Sequence, residues 1–215
     1  AIGKNWANVA DTPMRFWKMT SHEGGINTPM IAHWPNGISK EMHGKFYRQP
    51  CHLIDLLPTW MELAGDEAKY PGDSPQTDIP LIDGISIVPS FAGMNLKRKE
   101  PLFFQFGSGK AVQDGEWKLV RRGSEPWELH NLASSRTETL DVAAKYPDRA
   151  EQMKESWDRW YQQCTGKKYL EPVKKPRRTR AQRNNSGPNL DFFRSSERPR
   201  DAIDVGKRSF LAQEL

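Results

Sequence analysis

From residue 101 onward the sequence is written in short runs separated by turn residues, and that grammar leaves few folds open. Residues 102–106 (LFFQF) form the first run. Residues 110–113 form the second and turn at Asp114-Gly115, a strong two-residue hairpin signal. Residues 116–121 (EWKLVR) alternate polar and apolar, Arg122-Gly123-Ser124 turns the chain again, and residues 126–129 supply a fourth run. Four short runs joined by tight turns predict an antiparallel meander. Residues 131–138 read as a loop entering a short helix. Tyr146-Pro147-Asp148 then caps a last helix, from about residue 149 to 164, with Met153, Trp157, Trp160 and Tyr161 on one face. That aromatic group reads as core packing rather than as a sugar platform.

The first hundred residues follow a different pattern. Residues 1–27 show no period and read as an irregular approach. Residues 28–35 read as a buried strand stopped by Pro35-Asn36-Gly37. Residues 51–64 (CHLIDLLPTWMELA) predict a helix, because Leu53, Leu56, Leu57, Trp60, Met61 and Ala64 share one face. Gly65 is placed to end it. Pro58 either kinks this helix or marks its true first turn, with Asp55 just ahead. Residues 66–80 form a polar loop, and Asp83-Gly84 predicts a turn before a short apolar piece. The charged link Lys97-Arg98-Lys99-Glu100 marks a boundary between residues 1–97 and a second module, 98–164.

One stretch concentrates chemistry. Residues 12–29 (TPMRFWKMTSHEGGINTP) hold a lysine, a histidine, a glutamate and a Gly-Gly pair, and feed the apolar run at 30–34. Gly-Gly lets the backbone take positive φ or approach another chain closely. A polar turn entering a buried strand is a common place for a site.

Charge separates a third region. Residues 165–215 carry thirteen Lys and Arg against six Asp and Glu, a net of +7 in a chain whose total is +5, which leaves −2 on residues 1–164. The folded part is mildly acidic, which argues against a nucleic-acid-binding fold. The 165–215 tail has no apolar period and is expected to be disordered, with polyanion contact as its alternative use. Hydrophobic residues make up only 36%, yet there are eight Trp and nine Phe, so a real core is diluted by that tail. Cys51 and Cys164 show no metal or disulfide spacing, and their pairing stays open. No apolar run is long enough to cross a membrane. The N-terminus has neither Met nor a signal region, which reads as a processed chain or a fragment.

Several of these segments, in order, resemble the later part of the sulfatase family, bacterial arylsulfatases above all. The resemblance rests on Lys18 with Glu23-Gly24-Gly25 five residues on, Thr28-Pro29, and His33-Trp34-Pro35-Asn36-Gly37-Ile38. It continues through His52-Leu53-Ile54-Asp55-Leu56-Leu57-Pro58-Thr59 and Asp83-Gly84-Ile85-Ser86. It ends with Asp114-Gly115-Glu116-Trp117-Lys118-Leu119 and Glu128-Leu129-His130-Asn131-Leu132. It covers about residues 5–164. It implies an α/β chain: the end of an alkaline-phosphatase-like sulfatase domain, then a small α+β domain of four antiparallel strands and a helix.

The family hydrolyses sulfate monoesters with a formylglycine nucleophile, made from the Cys or Ser of a C/S-x-P-x-R motif, and a divalent cation, usually Ca2+. Charge on the sulfuryl oxygens needs cations, and the leaving alkoxide needs an acid. By resemblance Lys18 contacts the substrate sulfate. His22 either lines that pocket or is a structural histidine. Glu23 is expected to hold the turn by accepting backbone N–H bonds, and His33 to be a core or rim histidine. His52 and Asp55 could form a weak metal pair, but the structural reading of a helix start is preferred. No C/S-x-P-x-R occurs in the sequence, and the nearest approach is Ser196-Glu197-Arg198-Pro199-Arg200. The expectation is therefore a C-terminal piece of a sulfatase with no metal ligands, inactive alone, from an enzyme of periplasm or exterior. The competing expectation is a non-catalytic accessory or polyanion-binding module.

Overall fold

The computed structural model describes residues 3–65, 70, 79 and 81–169. The expected basic tail from residue 170 on, and most of the 66–80 loop, lie outside the described residues. Helix α1 is Gly3–Ala10, and α2 is a single turn, Glu23–Ile26. Helix α3 is Leu56–Ala64 and α4 is Pro147–Thr165. The strands are β1 (Leu102–Phe106), β2 (Gly109–Asp114), β3 (Trp117–Arg121) and β4 (Glu128–Asn131), in sheet order β1-β2-β3-β4. Among the described residues no helix is long and apolar enough to cross a membrane.

The meander forms as its turn residues dictate. Asp114 pairs with Trp117, so Gly115 and Glu116 make the two-residue loop, and Gly115 takes φ +56°, where a side chain would be strained. The fourth strand lies two residues later than expected, and no helix forms between β4 and α4. Val142 accepts from the backbone N–H groups of Lys145 and Tyr146, which closes one turn only, and Pro147 then starts α4.

Both faces of the sheet are covered. On one, Val112, Leu119 and Leu129 pack against Met153 and Trp157 of α4. Trp157 stacks on Tyr161 at 5.1 Å and donates its indole N–H to the Phe104 carbonyl at 3.1 Å. The aromatic stripe of α4 is thus core, as expected. The opposite face carries Lys118, Glu128 and His130 and meets the 15–26 segment.

The N-terminal half departs from expectation in three places. Residues 3–10 are helical rather than irregular; eight residues are too short to show a period against the noise of one sequence. Residues 28–34 take no regular secondary structure, residue 35 already lies in a turn, and Ile31 is 94% exposed. A strand needs hydrogen-bond partners from elsewhere, which its own apolarity cannot supply. In α3 Leu57 and Trp60 are exposed, as is Leu53 in the turn before it, while Thr59 and the preceding Asp55 are buried. Pro58 falls in the first turn, where its missing N–H costs nothing. Gly65 ends the helix at φ +85°.

Candidate functional site

The 12–29 stretch folds into a hook clamped on the polar face of the sheet. Gly24 donates to the Arg15 carbonyl at 3.1 Å, which closes the hook on itself. A Cβ on Gly24 would lie 2.4 Å from the Arg15 carbonyl oxygen, and one on Gly25 2.0 Å from that of Thr20. The Gly-Gly pair is therefore required by close approach, not by positive φ.

Glu23 ties the hook down. Its carboxylate Oε1 accepts from Lys118 Nζ of β3 at 2.7 Å across 95 residues of sequence. Lys118 Nζ also lies 2.8 Å from Glu138 Oε1, and Arg136 lies 3.2 Å from Glu23 Oε2. The Glu23 backbone N–H donates to Glu138 Oε2 at 2.8 Å. Lys118 and Glu138 are fully buried. Glu23 is structural as expected, but by ion pairing across the sheet rather than by accepting backbone N–H bonds. Buried charges need such pairing, because an unpaired one bears the full desolvation cost.

Arg15 supplies the second clamp, donating to Glu128 Oε2 at 2.6 Å and to the Glu138 carbonyl at 2.5 Å. His130 places Nδ1 2.8 Å from the Leu140 carbonyl and Nε2 3.2 Å from Glu128 Oε2.

Lys18 and His22 part company on this frame. Lys18 is exposed at the tip of the hook, in a turn where Thr20 Oγ1 donates to the Trp17 carbonyl at 2.9 Å. His22 is 1% exposed, edge-on to Phe16 at 4.5 Å. Neither ring nitrogen has a hydrogen-bond partner among the described residues, and Glu128 Oε2 is 3.9 Å away. Burial pushes its pKa down to about 3, helped by the nearby charges of Lys118, Arg15, His130 and Arg122. His22 is a neutral imidazole behind the hook, and Lys18 is the group that faces outward.

The other singled-out residues are placed as follows. His33 is exposed, not a core group. His52 and Asp55 form a helix capping box: His52 Nδ1 accepts from the Ile54 N–H at 3.3 Å, and Asp55 Oδ2 accepts from the His52 N–H at 2.7 Å. Asp55 also takes Arg98 at 2.5 Å and the Ile85 N–H at 3.0 Å, so its carboxylate is committed to the helix start and to this ion pair. Cys51 and Cys164 are not bridged to each other, and burial pushes the Cys51 thiol up. A groove of about 420 Å³, lined by Trp34, Glu62, Phe91 and Met94 among others, includes neither Lys18 nor His22.

No family model matches the chain. It is similar to an uncharacterized sulfatase of Schizosaccharomyces pombe, 28% identical over 162 residues, which is 72% of this chain and 28% of that protein. It is also similar to human arylsulfatase D, 31% identical over 112 residues, 52% of this chain and 17% of that one. The solved structure of Ps i-CgsB in complex with k-i-k-neocarrahexaose superposes with a TM-score of 0.59 at 27% identity, over 69% of this chain and 32% of the other. The chain resembles sulfatases in both sequence and fold. It matches the C-terminal portion of these relatives, and spans less than a third of their length. The chain has the α/β class expected: the later part of the fold seen in solved sulfatases, then four antiparallel strands and a helix.

The family implies formylglycine and a divalent cation. Among the described residues there is no group of three or more His, Cys, Asp or Glu able to hold a metal, and the one adjacent His–Asp pair is consumed by capping. Among the described residues no donor set fits the cation.

Proposed function

We propose that this chain furnishes one wall of a sulfate monoester hydrolase, with Lys18 as the cation that meets the sulfuryl oxygens. The observation that supports this most is the contrast along the hook. Glu23, Gly24 and Gly25 are committed to holding it and His22 is buried behind it, while Lys18 stands exposed at its tip with no ion pair among the described residues. A compact ammonium on a rigid turn suits an oxyanion whose charge grows in the transition state. His22 then shapes the pocket from behind and keeps further positive charge away from Lys18 by staying neutral. Residues 1–97 belong to the catalytic domain and 98–164 to a small C-terminal domain. Formylglycine, Ca2+ and a periplasmic or extracellular setting belong to the parent enzyme.

The test is an aryl sulfate assay with calcium on the polypeptide encoded by the complete gene. Lys18→Ala is expected to lower kcat/KM by roughly 100- to 1,000-fold, the usual cost of removing one preorganised charge contact. Its circular dichroism and melting should match the wild type, since Lys18 is exposed. An unchanged kcat/KM would remove Lys18 from the site. The 215-residue chain alone is expected to show no turnover; clear activity there would overturn the view that it contributes only a wall.

A further inference from the structure

We infer that Lys118, through its buried pairs with Glu23 and Glu138, is a positioning residue that sets Lys18, so that strand β3 acts on the sulfate contact without touching substrate. The inference rests on the reading of Lys18 given above.

Backbone strain points to this arrangement. Among the described residues, the non-glycine positions with positive φ are Phe16 (63°), Met19 (82°) and Glu138 (54°). Two of them flank Lys18, and the third is one of the two carboxylates that pair with Lys118. Left-handed backbone at such residues is held only where the surroundings over-determine it, and it gathers at functional positions. The surroundings here are few and identifiable. The hook closes through the Gly24 N–H on Arg15, and Arg15 is bound to Glu128 and to the Glu138 carbonyl. The base of the hook is fixed by Glu23 between Lys118, Arg136 and Glu138.

Lys118 is the common element. It joins two carboxylates from loops 115 residues apart, Glu23 on the hook and Glu138 after β4. Its ammonium is fully buried at 2.7 and 2.8 Å from them. Without that charge, two buried carboxylates face each other with only Arg136, half-exposed, to offset them. Their repulsion would lift the hook, relax Phe16 and Met19, and free Lys18 to sample other directions. The sheet itself has its own core on the α4 face and does not depend on this pair.

Two measurements test it. In the full chain carrying Lys118→Met, amide hydrogen exchange of residues 24–27 should accelerate about tenfold or more, as expected for local opening, while β1–β4 and α4 keep their protection. Retained protection at 24–27 overturns the inference. Should the sheet lose protection as well, Glu23→Gln decides. That change leaves Lys118 paired with Glu138 beneath the hook but removes the hook's own ion pair, and it must speed exchange at 24–27 alone.

The second measurement uses the complete gene product and aryl sulfate. Lys118→Met should lower kcat/KM at least about tenfold on its own, and add nothing in the Lys18→Ala background, since residues acting as a unit are non-additive. Losses that multiply mean Lys118 acts independently of Lys18, and the inference fails. If Lys18→Ala alone is without effect, the sulfate reading fails, while the exchange result still reports whether Lys118 holds the hook.

Discussion

Trp157→Ala is expected to destabilise the C-terminal unit by about 3–5 kcal/mol, the usual range for truncating a buried tryptophan. Trp157 has no exposed surface and stands at the centre of the small core formed with Val112, Leu119, Leu129 and Met153. It touches Trp127 at 6.3 Å, Tyr161 at 5.1 Å and Tyr169 at 5.3 Å between ring centroids. It also covers Lys110, whose ammonium lies 4.8 Å from its ring and 3.3 Å from that of Tyr169. Alanine would leave a cavity beside a buried ammonium and remove the indole hydrogen bond to the Phe104 carbonyl. A core this small has no reserve, since whole domains are stable by only about 5–15 kcal/mol. At about 4–8 °C per kcal/mol for a unit of this size, the melting temperature should fall by at least about 12 °C. Trp157→Phe keeps the ring and loses the indole N–H, so it should cost about 1 kcal/mol more than its packing change alone. Thermal unfolding followed by circular dichroism separates the two. A melting point for Trp157→Ala within about 3 °C of wild type would show that α4 is not what holds the sheet.

What the sequence revealed follows from how local each signal is. The Asp114-Gly115 turn, the alternation in residues 117–121 and the stripe from Met153 to Tyr161 are set by neighbours one to four positions away, and the sheet and α4 form where those patterns lie. The apolar runs at 28–35 and along α3 promised burial that the described residues do not provide. A strand or a helix face is buried only by partners distant in sequence, and an apolar run does not name them. Lys118 is the sharper case. Alternation places it opposite Leu119, which on a one-sided sheet would mean solvent. It is buried because the hook covers that face, and its partner Glu23 lies 95 residues upstream. The Glu-Gly-Gly and Trp-Lys-Leu segments were each visible in the sequence. That one holds the other was not, because no local period links them.

His22 carries the last expected result. As pH falls from 7 to 5, the chain should lose about 2 kcal/mol of stability through this one residue, the slope approaching about 1.4 kcal/mol per unit of pH below 6.5. The sign follows from the lowered pKa. In the unfolded chain His22 binds a proton near pH 6.5, and in the folded chain only near 3. Between those values the unfolded state holds the extra proton, so acid favours unfolding, and the stability gained by keeping His22 neutral is full only above 6.5. The cause is burial first. Lys118 and Arg15, with His130 and Arg122, then oppose a further positive charge. Glu128 does not rescue it, because its carboxylate is 3.9 Å off and already accepts from Arg15 at 2.6 Å. Urea unfolding at pH 7, 6 and 5 on wild type and His22→Gln reads the effect directly. Glutamine cannot take up the proton, so the variant should lack about 2 kcal/mol of the wild-type decline over that interval. Equal slopes would mean that His22 is reached by solvent, or paired, in the folded chain. An imidazole that stays uncharged through the physiological range also leaves Lys18 the outward-facing cation of the hook, and protonating it would push against the same Arg15 and Lys118 that clamp the hook to the sheet.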